Sequence, residues 1–327
     1  MDIKNFFKNF FINNEDNYSF TLSAPTYDYE KENIKEPINK KNIFSSVSVN
    51  LDYIKEKYNL EKNSDIYIRK FTLTAKGKEF EAFLLYIDGM INSTMAHNFI
   101  LNPLMLKNMS NINHSTISKS AITNNIVARK VRKIDLEDFI FKSLLPSNSI
   151  KKKNTFDEII QDVNSGSCIL FVDTLTTAFS IDIKGVPGRS VSTPNTEIVI
   201  KGSGEAFVEI LRVNTAIIRR LVNNENLIIE SLNIGNISRT NCAVAYIKNI
   251  ANDSLVSEVL KRLNNLNIDY LVSTGELEQL IEDSNHSNVP QIISTERPDR
   301  TTSYLLEGRV VIFLNGNPYA LVVPRNI

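Results

Sequence analysis

Residues 189–222 read RSVSTPNTEIVIKGSGEAFVEILRVNTAIIRRLV. A polar, proline-marked extended segment that begins at Arg189 and includes Glu197 runs into Lys201-Gly202-Ser203-Gly204-Glu205, then into one long helical pattern. Phe207, Ile210, Leu211, Ile217, Ile218 and Leu221 recur at spacings of three, four and seven, which marks one apolar face. Glu205, Glu209, Arg212, Arg219 and Arg220 fall mostly off that face. Acidic residues come early and arginines late, as the helix dipole favours. The stretch predicts a joint between two related halves.

The flanks carry that expectation. Before the joint, Val47, Leu51, Ile54 and Tyr58 make a helix face. Strands follow over 66–73 and 80–87, then helices over 93–101 and 136–145, a solvated lysine loop at 151–153, a helix over 156–163 and a hairpin of 168–172 with 178–183. After the joint come strands over 227–232 and 243–247, a helix over 253–266, a short buried strand at 270–272, a helix over 275–282 and a strand at 291–293. A helix over 299–306 leads to a hairpin around Asn315-Gly316-Asn317-Pro318. Tyr86-Ile87-Asp88-Gly89-Met90 aligns with Tyr246-Ile247-Lys248-Asn249-Ile250 at an offset of 160 residues. Gly166 and 168–173 align with Gly308 and 310–315 at an offset of 142. The same blocks in the same order indicate a duplicated α/β unit. The fold class is therefore α/β in the mixed α+β sense: two related subdomains whose mixed sheets are flanked by helices, joined by a long central helix. The expected organisation is an arm over 1–44, a subdomain over 45–188, the connecting segment and helix over 189–222, and a subdomain over 223–327.

With 327 residues, 42% hydrophobic and 23% charged, the chain has ordinary globular composition. Lys+Arg and Asp+Glu are both 37, so no bulk charge draws it to nucleic acid or anionic lipid. Cys168 and Cys242 lie in apolar runs outside any CxxC, as buried free thiols do. The N-terminal region is broken by Lys4, Lys8, Asn9 and Asn13, so it is no secretory signal; it reads as a mobile, partly ordered arm, with docking of Phe6, Phe7, Phe10 and Phe11 on a partner or membrane surface as the rival reading. No window approaches the length of apolar residues a membrane span needs.

Motifs for nucleotide cradles, nucleophile elbows and zinc proteases are absent, and His97, His114 and His286 lie far apart. No enzyme, metal or cofactor is expected. Gly202-Ser203-Gly204 is an ordinary helix start with Ser203 as cap, with a backbone anion cradle as its rival. Two polar clusters remain. One is Thr295-Glu296-Arg297-Pro298-Asp299-Arg300, which leaves a strand for a helix. Its mechanical reading has Pro298 opening the helix, Thr295 or Asp299 capping it, and Arg297 pairing with a carboxylate. The other is the alternating-charge set Arg189, Glu197, Lys201, Glu205, Arg212, Arg219 and Arg220, read as an ion-paired face between packed units, with Glu205 and Arg212 foremost.

At these clusters the sequence resembles the N-terminal region of GerA-type spore germination receptor A subunits. The residues that carry the resemblance are IKGSGEAFVEILRVNTAIIRRLV (200–222), LIIESLNIGNISRTNCAVAYIKNIA (227–251), VLKRLNNLNIDYLVSTGELEQLIED (259–283), VPQIISTERPDRTTSYLLEGRVVIFLNGNPYALVVP (289–324) and YIDGMIN (86–92). They span about 45–324. The family's usual stretch resembles RGPxEGF, whereas this chain has Lys201-Gly202-Ser203-Gly204-Glu205-Ala206-Phe207, without the arginine and the proline. The resemblance implies a two-unit fold loosely like the two lobes of solute-binding proteins. It also implies a soluble module on the cytosolic side of the spore inner membrane, attached to membrane helices that lie beyond this chain. The implied partners are B and C subunits and other A subunits, and the implied role is in germinant sensing, assembly and signalling to ion release. Relative orientation of the two halves is then expected to couple to the channel. The alternative role is a small-molecule germinant site in the cleft between the halves. A sporulation-operon relative of the A subunits shares the same features.

Overall fold

The first copy of the repeat opens on helix α1 (Val47–Lys57), whose buried face is Val47, Leu51 and Ile54. The long hairpin β1 (Ile66–Ala75) and β2 (Lys78–Ile87) follows. Helix α2 is α-helical over Ser93–Ala96, π-helical over His97–Leu101 and α-helical again over Asn102–Leu106. Asn92 caps it by accepting the Met95 N–H at 3.0 Å. The wide π turn precedes Pro103, whose ring crowds the carbonyl one turn back, so the helix runs past the expected stop at 101. Helix α3 joins Leu136–Phe139 to a π turn at Ile140–Leu144. Strand β3 (Ile150–Lys153), helix α4 (Phe156–Asn164) and strands β4 (Cys168–Val172) and β5 (Ala178–Ile181) complete the copy.

The second copy repeats the order. Helix α5 (Leu211–Val222) leads to β6 (Leu227–Ile234), β7 (Thr240–Ile247), α6 (Asp253–Asn264), α7 (Thr274–Ile281), β8 (Ile293–Thr295), α8 (Pro298–Leu306), β9 (Val310–Leu314) and β10 (Ala320–Val323). The sheets have orders β1-β2-β4-β5-β3 and β6-β7-β9-β10-β8, which is the same topology strand for strand. The structure is a computed structural model and describes residues 41–75, 78–106, 136–145, 149–185, 194, 196–197, 201, 203–283 and 290–325. These all fall in one compact unit, residues 35–327. The expected arm over 1–44, with Phe6, Phe7, Phe10 and Phe11, lies almost wholly outside the described residues, as do Arg189 and Gly202.

Each sheet is covered on both faces. In the first copy α1 and α4 bury Leu51, Ile54, Phe156 and Ile159 against Phe83, Leu85 and Phe171. On the other face α2 and α3 pack Ile100, Leu104 and Ile140 on Leu84, Leu170 and Phe179. In the second copy α5 and α8 cover Ala243, Ala245 and Phe313, while α6 and α7 cover Val244, Ile312 and Leu321. Central strands β4 and β9 are buried at every position, which is why they read as unbroken apolar runs. Cys168 and Cys242 are buried free thiols, and burial pushes both up to about 12.

The copies share backbone devices as well as topology. Asn50 clamps the strap before α1: its Nδ2 donates to Phe44 O at 2.7 Å and its Oδ1 accepts the Phe44 N–H at 2.9 Å. Asn214 does the same to Val208 before α5, at 2.6 and 2.8 Å. The N–H of Val47 donates to Asp173 Oδ1, and that of Leu211 to Asn315 Oδ1. Left-handed residues recur in pairs: Asn59 with Asn223, Gly89 with Asn249, Gly166 with Gly308 and Thr174 with Gly316.

Five expectations are corrected here. The central helix begins at Leu211 and not just after Gly204, because Phe207 and Val208 are committed to extended bonding: Phe207 N–H donates to Glu296 O and Val208 to the Asn214 clamp. Ser203 therefore caps no helix; among the described residues its Oγ accepts the nearby Glu205 N–H, at 3.3 Å. The lysine run is edge strand β3, paired with β5, where charge blunts an exposed edge. Residues 270–272 form no strand, since the β6–β7 turn takes their neighbours' carbonyls, and Tyr270 and Val272 are 61% and 68% exposed. Finally, every described ladder is antiparallel, where mixed sheets were expected.

Candidate functional site: the joint between the subdomains

Helix α5 is buried continuously from Val213 to Arg219. A helix that serves one core shows one apolar stripe, and this one serves two. Ile218 enters the second core, whereas Ala216 enters the first. The close approach needs Gly89, where a Cβ would sit 3.1 Å from the Arg212 carbonyl and 3.2 Å from the Ala216 Cβ. Arg212, Ala216 and Arg219 follow one another at helical spacing, so α5 turns a second face to the first subdomain.

That face ends in a buried ion pair. The Arg219 side chain is 2% exposed and that of Asp65 is 1% exposed. Arg219 Nε donates to Asp65 Oδ2 and Nη2 to Oδ1, both at 2.8 Å, a bidentate fork on the carboxylate. Nη1 donates to Leu227 O and Nη2 also to Asn63 Oδ1, both at 2.7 Å. Asn63 Oδ1 in turn accepts the Ile229 N–H at 2.8 Å, and Asn63 Nδ2 donates to Tyr58 O at 2.6 Å. Ser64 N–H donates to Ile229 O at 3.0 Å, and the Ser64 and Ser231 hydroxyls lie 2.7 Å apart. The loop ahead of β1 thereby pairs with edge strand β6; the bonds of Asp65 and Asn63 to Arg219, of Asn63 to Ile229 and of Ser64 to Ile229 and Ser231 cross from one subdomain to the other. Around this centre are more exposed bridges, Arg212–Asp88 at 3.0 Å and Lys57–Glu225 at 3.0 Å. Removing either member of the central pair strands a buried charge, at a cost of about 3–5 kcal/mol. The outer pairs contribute ~0–1 kcal/mol each.

The second predicted cluster is a clasp. Thr196 gives both its N–H and its hydroxyl to Glu296 Oε1, each at 2.5 Å, and Glu197 N–H reaches the same oxygen at 3.2 Å. Glu197 Oε2 accepts the Thr295 hydroxyl at 2.6 Å, and its Oε1 accepts Arg300 Nη1 at 2.7 Å. Thr295 and Glu296 thus pin the connecting segment to the start of α8. Arg297 forks onto Asp299 at 3.1 and 2.6 Å, with Pro298 in the first helical turn. The fork holds the Asp299 carboxyl below its ordinary range. Its stabilising effect is present above the ordinary carboxylate range and is lost as pH falls through the lowered value.

The structure therefore splits the predicted set. Arg212 and Arg219 lie at the joint, while Glu197, Thr295 and Glu296 form the clasp and Arg297 and Asp299 fork beside it. Glu205 bridges to Arg220 within its own segment, so it is not the inter-subdomain partner that was expected. Lys201 is exposed, and a Cβ at Gly204 would meet nothing within 4 Å. Asn63, Asp65 and Asp88 escaped the sequence reading. The available signal was Arg219 itself, an arginine directly after two isoleucines of the apolar face.

A family model described as Bacillus/Clostridium GerA spore germination protein matches residues 52–327. The chain belongs to the GerA family. It is 38% identical over 285 residues to spore germination protein B1 of Bacillus subtilis (strain 168), covering 87% of this chain and 54% of that protein. Stage V sporulation protein AF of the same organism is 28% identical over 301 residues, covering 92% of this chain and 55% of that one. The chain spans about half the length of these curated relatives. Among solved structures, the N-terminal domain of the A subunit of the Bacillus megaterium spore germinant receptor GerK3 matches with a TM-score of 0.61 and 30% identity, covering 88% of this chain and 98% of that one. The GerA fold seen here is thus a duplicated antiparallel α/β unit, and its joint is built on the bidentate pair of Arg219 with Asp65. Among the described residues no helix is long and apolar enough to cross a membrane.

Proposed function

We propose that this chain acts as the sensing and transmitting N-terminal module of a germinant receptor A subunit, with no catalytic role of its own. It works on the cytosolic side of the spore inner membrane, with B, C and other A subunits as partners. In this reading the angle between the two subdomains is the signalling coordinate. One observation carries it: two separately cored subdomains meet at a buried pivot, Arg219–Asp65, surrounded by solvent-exposed ion pairs. A desolvated, fully bonded pair fixes a point of contact, whereas exposed pairs exchange partners at little cost. Small changes in angle then break and remake the outer contacts, the exposed Ser64–Ser231 contact among them, without opening the buried Arg219–Asp65 pair.

The experiment is a charge swap at the outer pair in a full-length receptor. Asp88→Lys should slow nutrient-triggered ion release in spores with normal receptor levels, and the exchange Asp88→Lys with Arg212→Glu should restore it. Normal release in the single variant would overturn the reading. A thermal shift of the isolated chain with amino acids, nucleosides or ions, lost in Arg212→Ala, would favour the alternative of ligand capture between the subdomains.

A further inference from the structure

Beside β8, far along the sheet from the joint strand β6, the second subdomain opens a groove of about 550 Å³. Its polar lining is Ser294, Arg300, Tyr304, Arg309, Arg325 and Glu278, over a floor that includes Ile292 and Ile293. Tyr304 organises the arginines. The Arg309 guanidinium lies 4.6 Å from its ring centroid and that of Arg300 5.9 Å, with Arg300 Nη2 donating to the Tyr304 hydroxyl at 3.0 Å. Arg309 is held further by Pro324 O and Arg325 O at 3.2 and 2.6 Å and by Glu307 at 3.0 Å. Its buried Nε has no hydrogen-bond partner among the described residues. Arg325 is exposed, and its side chain has no ion pair among them. The lone lining carboxylate, Glu278, is pushed up by burial and then by Glu282, so it holds its charge less readily than an open glutamate.

The first copy shows what this position looks like when it is self-neutralised. At the 142-residue offset, Arg300 and Tyr304 correspond to Glu158 and Asp162, and Ser294 and Thr295 to Lys152 and Lys153. There the strand lysines meet helix acids: Lys153 pairs with Asp162 at 3.2 Å, and Lys152 with Glu137 at 2.6 Å. The second copy puts arginine on the helix and neutral hydroxyl residues on the strand. Arg309 stands where the first copy has Ser167. Arg300 still reaches Glu197 of the connecting segment and Arg309 reaches Glu307, but no acid stands on the strand and Arg325 adds a third positive charge.

We infer that this groove binds a phosphate-bearing anion with a small organic body. Guanidinium forks match phosphate oxygens in geometry and charge. The tyrosine ring and isoleucine floor suit an apolar or planar body, and the volume is that of a small-ligand site. A soluble organic phosphate and an anionic lipid headgroup share this chemistry. The inference stands apart from the reading of the joint.

The test uses the whole chain, with pyrophosphate followed by titration calorimetry, and with phosphatidylglycerol against phosphatidylcholine vesicles in co-sedimentation. The variants are Arg325→Glu and Ser294→Glu, both at exposed positions, with folding checked by thermal melts. Saturable pyrophosphate binding, weakened roughly tenfold or more in both variants, supports a soluble phosphate ligand. Sedimentation with phosphatidylglycerol only, abolished in both variants, supports a lipid headgroup. Binding of neither probe by folded wild-type protein, or binding unchanged in both variants, would overturn the inference.

Discussion

The two subdomains agree in their backbones and disagree in their charges. Both have an asparagine clamp ahead of the first helix, a left-handed residue after it, an aspartate or asparagine accepting the first helical N–H, and the same sheet order. Where Arg219 anchors the joint, the equivalent residue of the first copy is Lys55, half exposed and paired with its helix neighbour Asp52. Where Arg300 and Arg309 line the groove, the first copy has Glu158 and Ser167. The shared features satisfy buried backbone groups, which any copy of the fold must do. The differences sit where one copy meets the other or meets solvent, and those are the places where function is free to diverge.

The largest expected effect tests the asymmetry at the joint. Arg219→Met leaves Asp65 buried and unpaired and should lower unfolding stability by about 3–5 kcal/mol in urea melts, whereas Lys55→Met should be close to neutral. Adding Asp65→Asn to Arg219→Met should recover a substantial part of the loss. Equal, small effects at the two positions would mean that the joint is no more than a surface contact.

Next come the clamps, which test the similarity. Asn214→Ala and Asn50→Ala each strand a backbone donor and an acceptor, at ~1–3 kcal/mol for each group left unsatisfied. Comparable losses are expected in the two copies, and a clearly larger loss in one would show that its strap is held by something else. Gly308 and Gly166 sharpen the picture further. Both have positive φ, and a side chain there costs roughly 1–2 kcal/mol. At Gly308 the new Cβ would lie 2.9 Å from the Ile250 carbonyl oxygen, while at Gly166 it would meet the flexible Met90 Cε at 3.3 Å. Gly308→Ala should therefore be the more damaging in thermal melts. The smallest effect is a gain. Thr174 holds φ 72 with a β-branched side chain where the second copy has Gly316. Thr174→Gly should raise stability by about 1 kcal/mol or less.

The duplication was legible because apolar runs and turn residues are local signals. Val310–Leu314 and Cys168–Val172 announce buried strands, and Asp88-Gly89 and Leu306-Glu307-Gly308 announce stops. The joint was half legible. Arg212 and Arg219 stood out, but Asp65 and Asn63 lie more than 150 residues away from Arg219, and no local periodicity marks a partner at that distance. The helix start at Leu211 was missed for the same reason. Glu296 and Asn214 hold Phe207 and Val208 extended, and apolar spacing alone cannot register those bonds. The groove depends on bringing together Arg300 and Tyr304 of α8, Arg309 just before β9 and Arg325 just after β10, and no local spacing marks that convergence.

The most direct test of the pivot is a covalent lock at the joint. The Ser64 and Ser231 hydroxyls are 2.7 Å apart across the boundary, so cysteines at both positions lie within disulfide reach. In spores that carry a full-length receptor with Ser64→Cys and Ser231→Cys, cross-linking would be verified by mobility under non-reducing conditions and nutrient-triggered ion release measured. The account predicts release that is strongly slowed when the bond is formed and returns on reduction. Release at the unmodified rate from a fully cross-linked receptor would contradict it.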